Sequence, residues 1–326
     1  MKKRILTWVK PTSDVIHLGN YFGAIKQVLE WQQKWDYDII LFVADMHATT
    51  TLHDWQELKS NIVGLVKSYL ASWVDPQKVL IFKQSDVPGH VQLWWVLASI
   101  TTLWYMKRMH AYKDALQKGK ADETTMGTFN YPILMASDIL LYDPDFVPVG
   151  KDQKQHLEFT RDIASKFNTT YKELFKLPEP MILEDVATVP WIDGRKMSKS
   201  YNNFISLIVD EQTLLKKIRR ISTAPIPIQD PKNPDECNVY NILKLFLTPQ
   251  EDEQIRQKYL EWGLSYKRVK DLLFEKVRDF LAPIRQKYFE ISQQEVKDVL
   301  SQWAQRAQQM SQKKIEDVFE AVGYLI

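Results

Sequence analysis

Hydrophobic positions along this chain repeat with two periods, and the period switches where polar, chemistry-bearing residues fall. Residues 4–9 form a short apolar and β-branched run that predicts a first strand, broken by Pro11-Thr12-Ser13-Asp14. From Tyr21 the spacing turns helical, with Phe22, Ile25, Val28 and Leu29 three and four apart. Residues 38–44 predict a second strand, 55–73 a helix and 79–84 a third strand. The most apolar run, 91–106, predicts one buried or subunit-interface helix; it is short for a membrane span and holds Gln92, Ser99, Thr101 and Thr102. Residues 131–142 are almost wholly apolar except for Asp138, with Met135 and Asp138 on one helical face. A strand at 146–149 follows. Strands alternating with helices predict an α/β fold with a parallel sheet.

Beyond Phe204 the pattern changes. Residues 211–221 read as a helix carrying Lys216, Lys217, Arg219 and Arg220, and 225–234 as a proline-rich loop. Amphipathic helices are predicted at 239–247, 250–261, 266–289 and 293–319, with no β pattern among them. The expected division is 1–205 for an α/β domain and 206–326 for an all-α domain, whose last helix can pack back on the first.

Composition narrows the class. Of 326 residues, 45% are hydrophobic and 26% charged, as in a soluble globular protein without membrane spans. The net charge of +2 announces no overall nucleic-acid field, so any RNA contact must come from local basic clusters. The single cysteine, Cys237, excludes an internal disulfide and a cysteine-based zinc site, and fits a reducing compartment. The start, Met-Lys-Lys-Arg-Ile-Leu, is basic with no long apolar run behind it, so a cytoplasmic location is expected.

The candidate chemistry lies in two stretches. His17-Leu18-Gly19-Asn20 sits between the first strand and a helix, where helix N–H groups and a small Gly19 suit a nucleotide phosphate and His17 can donate to a phosphoryl oxygen. Far downstream, Asp193-Gly194 turns into Arg195-Lys196-Met197-Ser198-Lys199-Ser200, whose ammoniums can neutralise charge on a polyphosphate. Either stretch alone is compatible with a plain surface turn. Asp138 is compatible with a structural carboxylate satisfied by backbone or arginine, and with an acceptor for a ligand N–H. His47, at the end of the second strand, has the same two readings, structural or functional.

Together the two stretches resemble the paired signatures of class I aminoacyl-tRNA synthetases. The string from Tyr131 to His156 resembles the tryptophan-specific branch, as does Asn20 in place of a second histidine. The tyrosine-specific cousin typically has Gly-Ser-Asp-Gln where this chain has Gly150-Lys151-Asp152-Gln153. The resemblance implies a Rossmann-like catalytic domain over 1–205 and a helical, tRNA anticodon-binding domain over 206–326. It implies an enzyme that uses ATP with Mg²⁺ to make tryptophanyl-adenylate and pyrophosphate, then charges tRNA(Trp), as a homodimer.

The residue roles implied by the resemblance are as follows. Lys10, Thr12, His17, Gly19, Asn20, Gly150, Asp152, Lys196, Met197, Ser198 and Lys199 would bind ATP. His17, Asn20, Lys113, Lys196 and Lys199 would be catalytic. Leu6, His47, Tyr131, Met135, Asp138, Val147, Val149 and Gln153 would bind tryptophan. Asp138 would accept the indole N–H, Tyr131 and Gln153 would hold the ammonium, and His47 would sit near the substrate backbone. Departures from the family pattern are Trp8 at an expected glycine, Lys10 for Gln, Leu6 for Phe, and one extra residue between Pro11 and His17. They bear on the adenine and indole rims. The rivals are a tyrosyl-tRNA synthetase, a small-molecule nucleotidyltransferase, and a synthetase-like RNA-binding protein without activity.

Overall fold

A computed structural model describes the chain except residues 1, 35, 118, 120, 121, 151, 152, 183–203 and 326. Its centre is a five-stranded sheet in the order β3-β2-β1-β4-β5, every pairing parallel. The strands are β1 (Lys3–Val9), β2 (Tyr37–Val43), β3 (Val79–Lys83), β4 (Phe146–Val149) and β5 (Glu179–Ile182). Four match sequence expectation. The edge strand β5 was not anticipated, because Glu179-Pro180-Met181-Ile182 is short and contains a proline, which only an edge accommodates.

The side-chain alternation of the strands feeds two cores. Ile5, Ile39, Leu41, Val43, Val79 and Ile81 face one cluster; Leu6, Ile40, Phe42, Leu80 and Phe82 face the other. The first face is covered by α2 (Lys26–Gln33), α4 (Trp55–Ala71), α10 (Glu211–Arg219), α11 (Asn238–Leu243) and α13 (Tyr266–Glu290). The apolar cluster on this face therefore runs unbroken from β1 into residues beyond 206. The second face is covered by α5 (Gly89–Ile100), α8 (Met126–Leu140) and α9 (Lys154–Thr170).

Helix α14 (Gln293–Val322) starts in the first cluster with Val296 and Leu300 and ends in the second with Ile315 and Val318, packing along edge strand β3. It is fixed by Gln308 Nε2 donating to the Asp86 carbonyl at 2.6 Å and by a Lys314–Asp143 ion pair at 2.6 Å. No helix among the described residues is long and apolar enough to cross a membrane.

The single helix expected over 91–106 is two. Helix α5 stops at Ile100, and α6 (Leu103–Met106) restarts from Thr102, whose hydroxyl accepts from Tyr105 N. The β-branched Thr101-Thr102 pair supplies a cap where the helix would otherwise run on. Residues 107–109 form a turn that leads into α7 (His110–Gln117).

Candidate active site

In a doubly wound sheet, ligands bind outside the carboxyl ends of the strands where strand order reverses. Here that point lies between β1 and β4. The chain leaving β1 turns through Pro11–Asp14 and reaches His17, the N-cap of α1 (Leu18–Asn20). Asn20 N donates to His17 Nδ1 and His17 N donates to Asn20 Oδ1, each at 3.3 Å, so the two residues cap each other. With Nδ1 accepting, the ring hydrogen belongs on Nε2, which makes His17 a donor. Helix α1 continues into a π-turn (Tyr21–Ile25) and then α2. Tyr21 and Phe22 of that turn pack edge-on against Phe280 and Phe246, which ties the histidine turn to the helices beyond residue 206.

Two described segments meet at His17. Leu18 N donates to the Ile205 carbonyl at 2.9 Å, Leu207 N to the Ile16 carbonyl at 3.1 Å, and the Phe204 ring lies 5.7 Å from the His17 ring. Lys217 donates to the Phe204 carbonyl at 2.5 Å and sits 4.7 Å over its ring. Burial lowers the Lys217 pKa. The chain emerging from the lysine-rich stretch is thus anchored beside His17. Lys196, Met197, Ser198, Lys199 and Asp152 lie outside the described residues.

At the end of β1, Lys10 Nζ bonds Thr50 and Thr51 Oγ1, each at 3.2 Å, and burial lowers its pKa. Thr12 and Gly150 are exposed. Lys113 is exposed on α7, which packs on α8 through Tyr112 against Phe129.

Leu6, Met135, Val147 and Val149 all lie in the second cluster. Trp8 points to the same face and stacks on Phe42 at 5.6 Å, so the departure at this position adds bulk to that side of the sheet. Asp138, on α8, is fully buried. Its donors are side chains rather than backbone or arginine: His90 Nδ1 at 2.7 Å and Gln84 Nε2 at 2.7 Å on Oδ1, and His47 Nε2 at 2.8 Å on Oδ2. Burial pushes its pKa up, but the hydrogen bonds from His47 and His90 outweigh that and hold the carboxyl below its ordinary value.

Sequence reasoning set His47 near a substrate backbone; its ring is engaged with Asp138 and lies edge-on to Tyr131 at 6.1 Å. Tyr131 Oη in turn bonds His156 Nε2 at 3.0 Å. Gln153, half-buried, stands at the N-cap position of α9 without a side-chain capping bond. Gln84, His90 and His156 were not singled out from sequence. Gln84 stands just past β3, where the strand-end rule that flagged His47 applies equally. Two surface clefts lie elsewhere, one between α12 (Pro249–Leu260) and α13 and one beside Trp73.

The arrangement offers a donor histidine at a helix N-terminus beside the β1–β4 switch point and a buried acceptor carboxylate, groups suited to a phosphate and to a ligand N–H. Comparison with known proteins bears on the family. Residues 2–282 match the family of tRNA synthetases class I (W and Y). A tryptophan–tRNA ligase of Fusobacterium nucleatum is 45% identical over 292 residues, 89% of this chain and 88% of that protein. One of Campylobacter jejuni is 42% identical over 291 residues, 89% of this chain and 90% of its own length. Among solved structures, a tryptophanyl-tRNA synthetase of Campylobacter jejuni complexed with ADP and tryptophan superposes with a TM-score of 0.88 at 40% identity, covering 98% of this chain and 99% of that one. A Mycoplasma pneumoniae tryptophanyl-tRNA synthetase superposes with a TM-score of 0.84 at 32% identity, covering 98% of each. The chain belongs to the class I tRNA synthetases of the tryptophan and tyrosine family.

Proposed function

We propose that the chain is a tryptophan–tRNA ligase. It joins L-tryptophan to ATP as tryptophanyl-adenylate with release of pyrophosphate, then passes the tryptophanyl group to the 3′ end of tRNA(Trp). The observation that carries this reading is Asp138, a fully buried carboxylate held by side-chain donors on the sheet face whose core includes Leu6, Met135, Val147 and Val149. A buried acceptor selects an indole N–H over ligands that lack one far better than apolar fit does. The relatives named as tryptophan–tRNA ligases point the same way.

Adenylation is in-line attack of the amino-acid carboxylate on the α-phosphorus of ATP. That carboxylate is ionised at neutral pH, so no general base is required. Catalysis is then positioning plus neutralisation of charge on the leaving pyrophosphate. In this reading His17, Gly19 and Asn20 receive the phosphates, Lys10 and Thr12 form their rim, and Gly150 and Asp152 meet the ribose. Lys196 and Lys199, with Met197 and Ser198 between them in sequence and assisted by Lys113, neutralise the pyrophosphate. Tyr131, Gln153 and His47 line the amino-acid end. Mg²⁺ enters as the ATP complex, as part of the substrate; among the described residues no cluster of three His, Cys, Asp or Glu side chains is placed to bind a metal.

Residues 1–205 carry this chemistry and 206–326 read the tRNA anticodon. The exposed Trp95, Leu103 and Trp104 of α5 and α6 suit the interface of a homodimer, and the location is cytoplasmic. The deciding experiment is ATP–pyrophosphate exchange with each amino acid in turn, followed by charging of tRNA(Trp). Exchange that responds to tryptophan alone is expected. Exchange that responds to tyrosine, or to no amino acid, refutes the proposal.

A further inference from the structure

An aspartate side chain can turn about its last torsion, which is broad and roughly two-fold. A carboxylate that must offer one oxygen to a ligand therefore needs something to hold the other. In this protein the two oxygens of Asp138 are unequally committed. Oδ1 takes two donors, Gln84 Nε2 at 2.7 Å and His90 Nδ1 at 2.7 Å, which uses its two lone pairs. Among the described residues Oδ2 takes one, His47 Nε2 at 2.8 Å.

His90 is itself fixed on every side. It is fully buried, its ring lies 5.8 Å from Phe42, 6.2 Å from Phe82 and 5.5 Å from Tyr142, and its carbonyl accepts from Ser137 Oγ at 2.6 Å. Its Nε2 faces Tyr142 Oη at 3.0 Å. The phenol keeps its proton, since burial and the Asp138 charge both raise its pKa. The chain then reads in one direction: Tyr142 O–H donates to His90 Nε2, and His90 Nδ1–H donates to Asp138 Oδ1. Gln84 adds a second brace, because its Oε1 also accepts from His47 N at 3.3 Å and so ties the end of β2 to the same carboxylate.

We propose that His90 is a positioning residue for amino-acid selection: with Gln84 it saturates Asp138 Oδ1 and aims Oδ2 at the indole N–H. The proposal rests on the reading of Asp138 as the indole acceptor. His90 touches no substrate and acts only through Asp138.

The test uses the full-length protein and its ATP–pyrophosphate exchange. Two amino acids are compared: tryptophan, and the analogue with sulfur in place of the indole N–H. The readout is the ratio of their kcat/KM values, with the KM for ATP measured alongside. His90→Leu is expected to lower kcat/KM for tryptophan roughly tenfold to a hundredfold, the loss that follows when a buried charged acceptor loses a partner. The analogue is expected to change less than about threefold, so selectivity collapses while the KM for ATP holds. His90→Asn is expected to recover most of the selectivity, because its amide nitrogen stands near the place of Nδ1.

Equal losses for both amino acids, or no recovery in His90→Asn, overturn the proposal and make His90 a packing residue. Should His90→Leu fail to fold, Tyr142→Phe decides. It removes only the hydroxyl and is expected to reduce selectivity a few-fold; unchanged selectivity overturns the proposal. Asp138→Asn separates the two claims. If selectivity falls in Asp138→Asn but stays intact in the folded His90 variants, only the positioning role fails. If Asp138→Asn leaves selectivity intact, the acceptor reading fails and the positioning role falls with it.

Discussion

Gly64 holds α4 against the turn that delivers His17, and replacing it by alanine reports on that contact. A Cβ at Gly64 would lie 1.7 Å from the Asp14 carbonyl oxygen, 2.6 Å from its carbon and 2.9 Å from its Cα. The neighbour is backbone, so no side chain can swing away. The two segments must part by roughly 1.3 Å before the contact reaches the 3.0 Å that real Cβ atoms keep. Overpacking of this kind costs about 1–3 kcal/mol, toward the upper end here. Helix propensity acts in the opposite direction, favouring alanine by about 1 kcal/mol in a helix interior. The balance is a destabilisation of about 2 kcal/mol, or a melting-temperature drop of roughly 3 °C for a chain of 326 residues. Asp14 is three residues before His17, and Asn61 of the same helix also donates to the Pro11 carbonyl at 3.3 Å. The displaced turn should therefore raise the KM for ATP several-fold and leave the KM for tryptophan nearly unchanged. Thermal melting and ATP-dependent exchange are the assays. A rise in melting temperature, as propensity alone would give, refutes the steric argument. A fall in melting temperature with an unchanged KM for ATP refutes the link from α4 to the phosphate turn.

Lys217→Met should remove the tether on Phe204 and lower the exchange rate at saturating tryptophan by roughly threefold to tenfold, mostly through ATP, since a hydrogen bond from a charged group contributes about 1.5–3 kcal/mol where it is well buried and less where it is half-exposed. Wild-type ATP kinetics in that variant would show that the anchor is dispensable. Glu251 completes the Thr248 capping box of α12 and pairs with Lys276 at 2.5 Å; the Lys276 hydrogen bond and then the Thr248 contacts lower its pKa to about 2 from the ordinary 4.5. A depressed folded value means that its stabilisation is complete above pH 4.5 and fades as the pH falls toward 2. Glu251→Gln should flatten that part of the pH dependence of the urea midpoint, and parallel curves for the two proteins would contradict the assignment.

How far the sequence could be read follows from where each signal resides. Strand alternation and helical spacing are local, and they placed four of the five strands and the helices on both faces. The break at Thr102 was hidden because a cap is a single side chain inside an apolar run, and the run's periodicity outweighs it. Asp138 was legible as a demand: a carboxylate in an apolar stretch must find donors. Its suppliers were not legible, because Gln84, His90 and His47 come from the ends of different elements and converge only once β2, β3, α5 and α8 are laid side by side. The four cations at the end of α10 and its C-cap show the same limit from the other side. Lys216, Lys217, Arg219 and Arg220 look alike as a basic cluster for an RNA backbone. The buried positions of that helix are Leu214 and Ile218. Lys217 neighbours Ile218 on the inward side and spends its ammonium on Phe204, while Lys216, Arg219 and Arg220 remain exposed. A surface for tRNA phosphates on this helix therefore has at most three cations, and a salt-dependence experiment that counts four would assign to RNA a charge that the protein uses to hold its own chain beside His17.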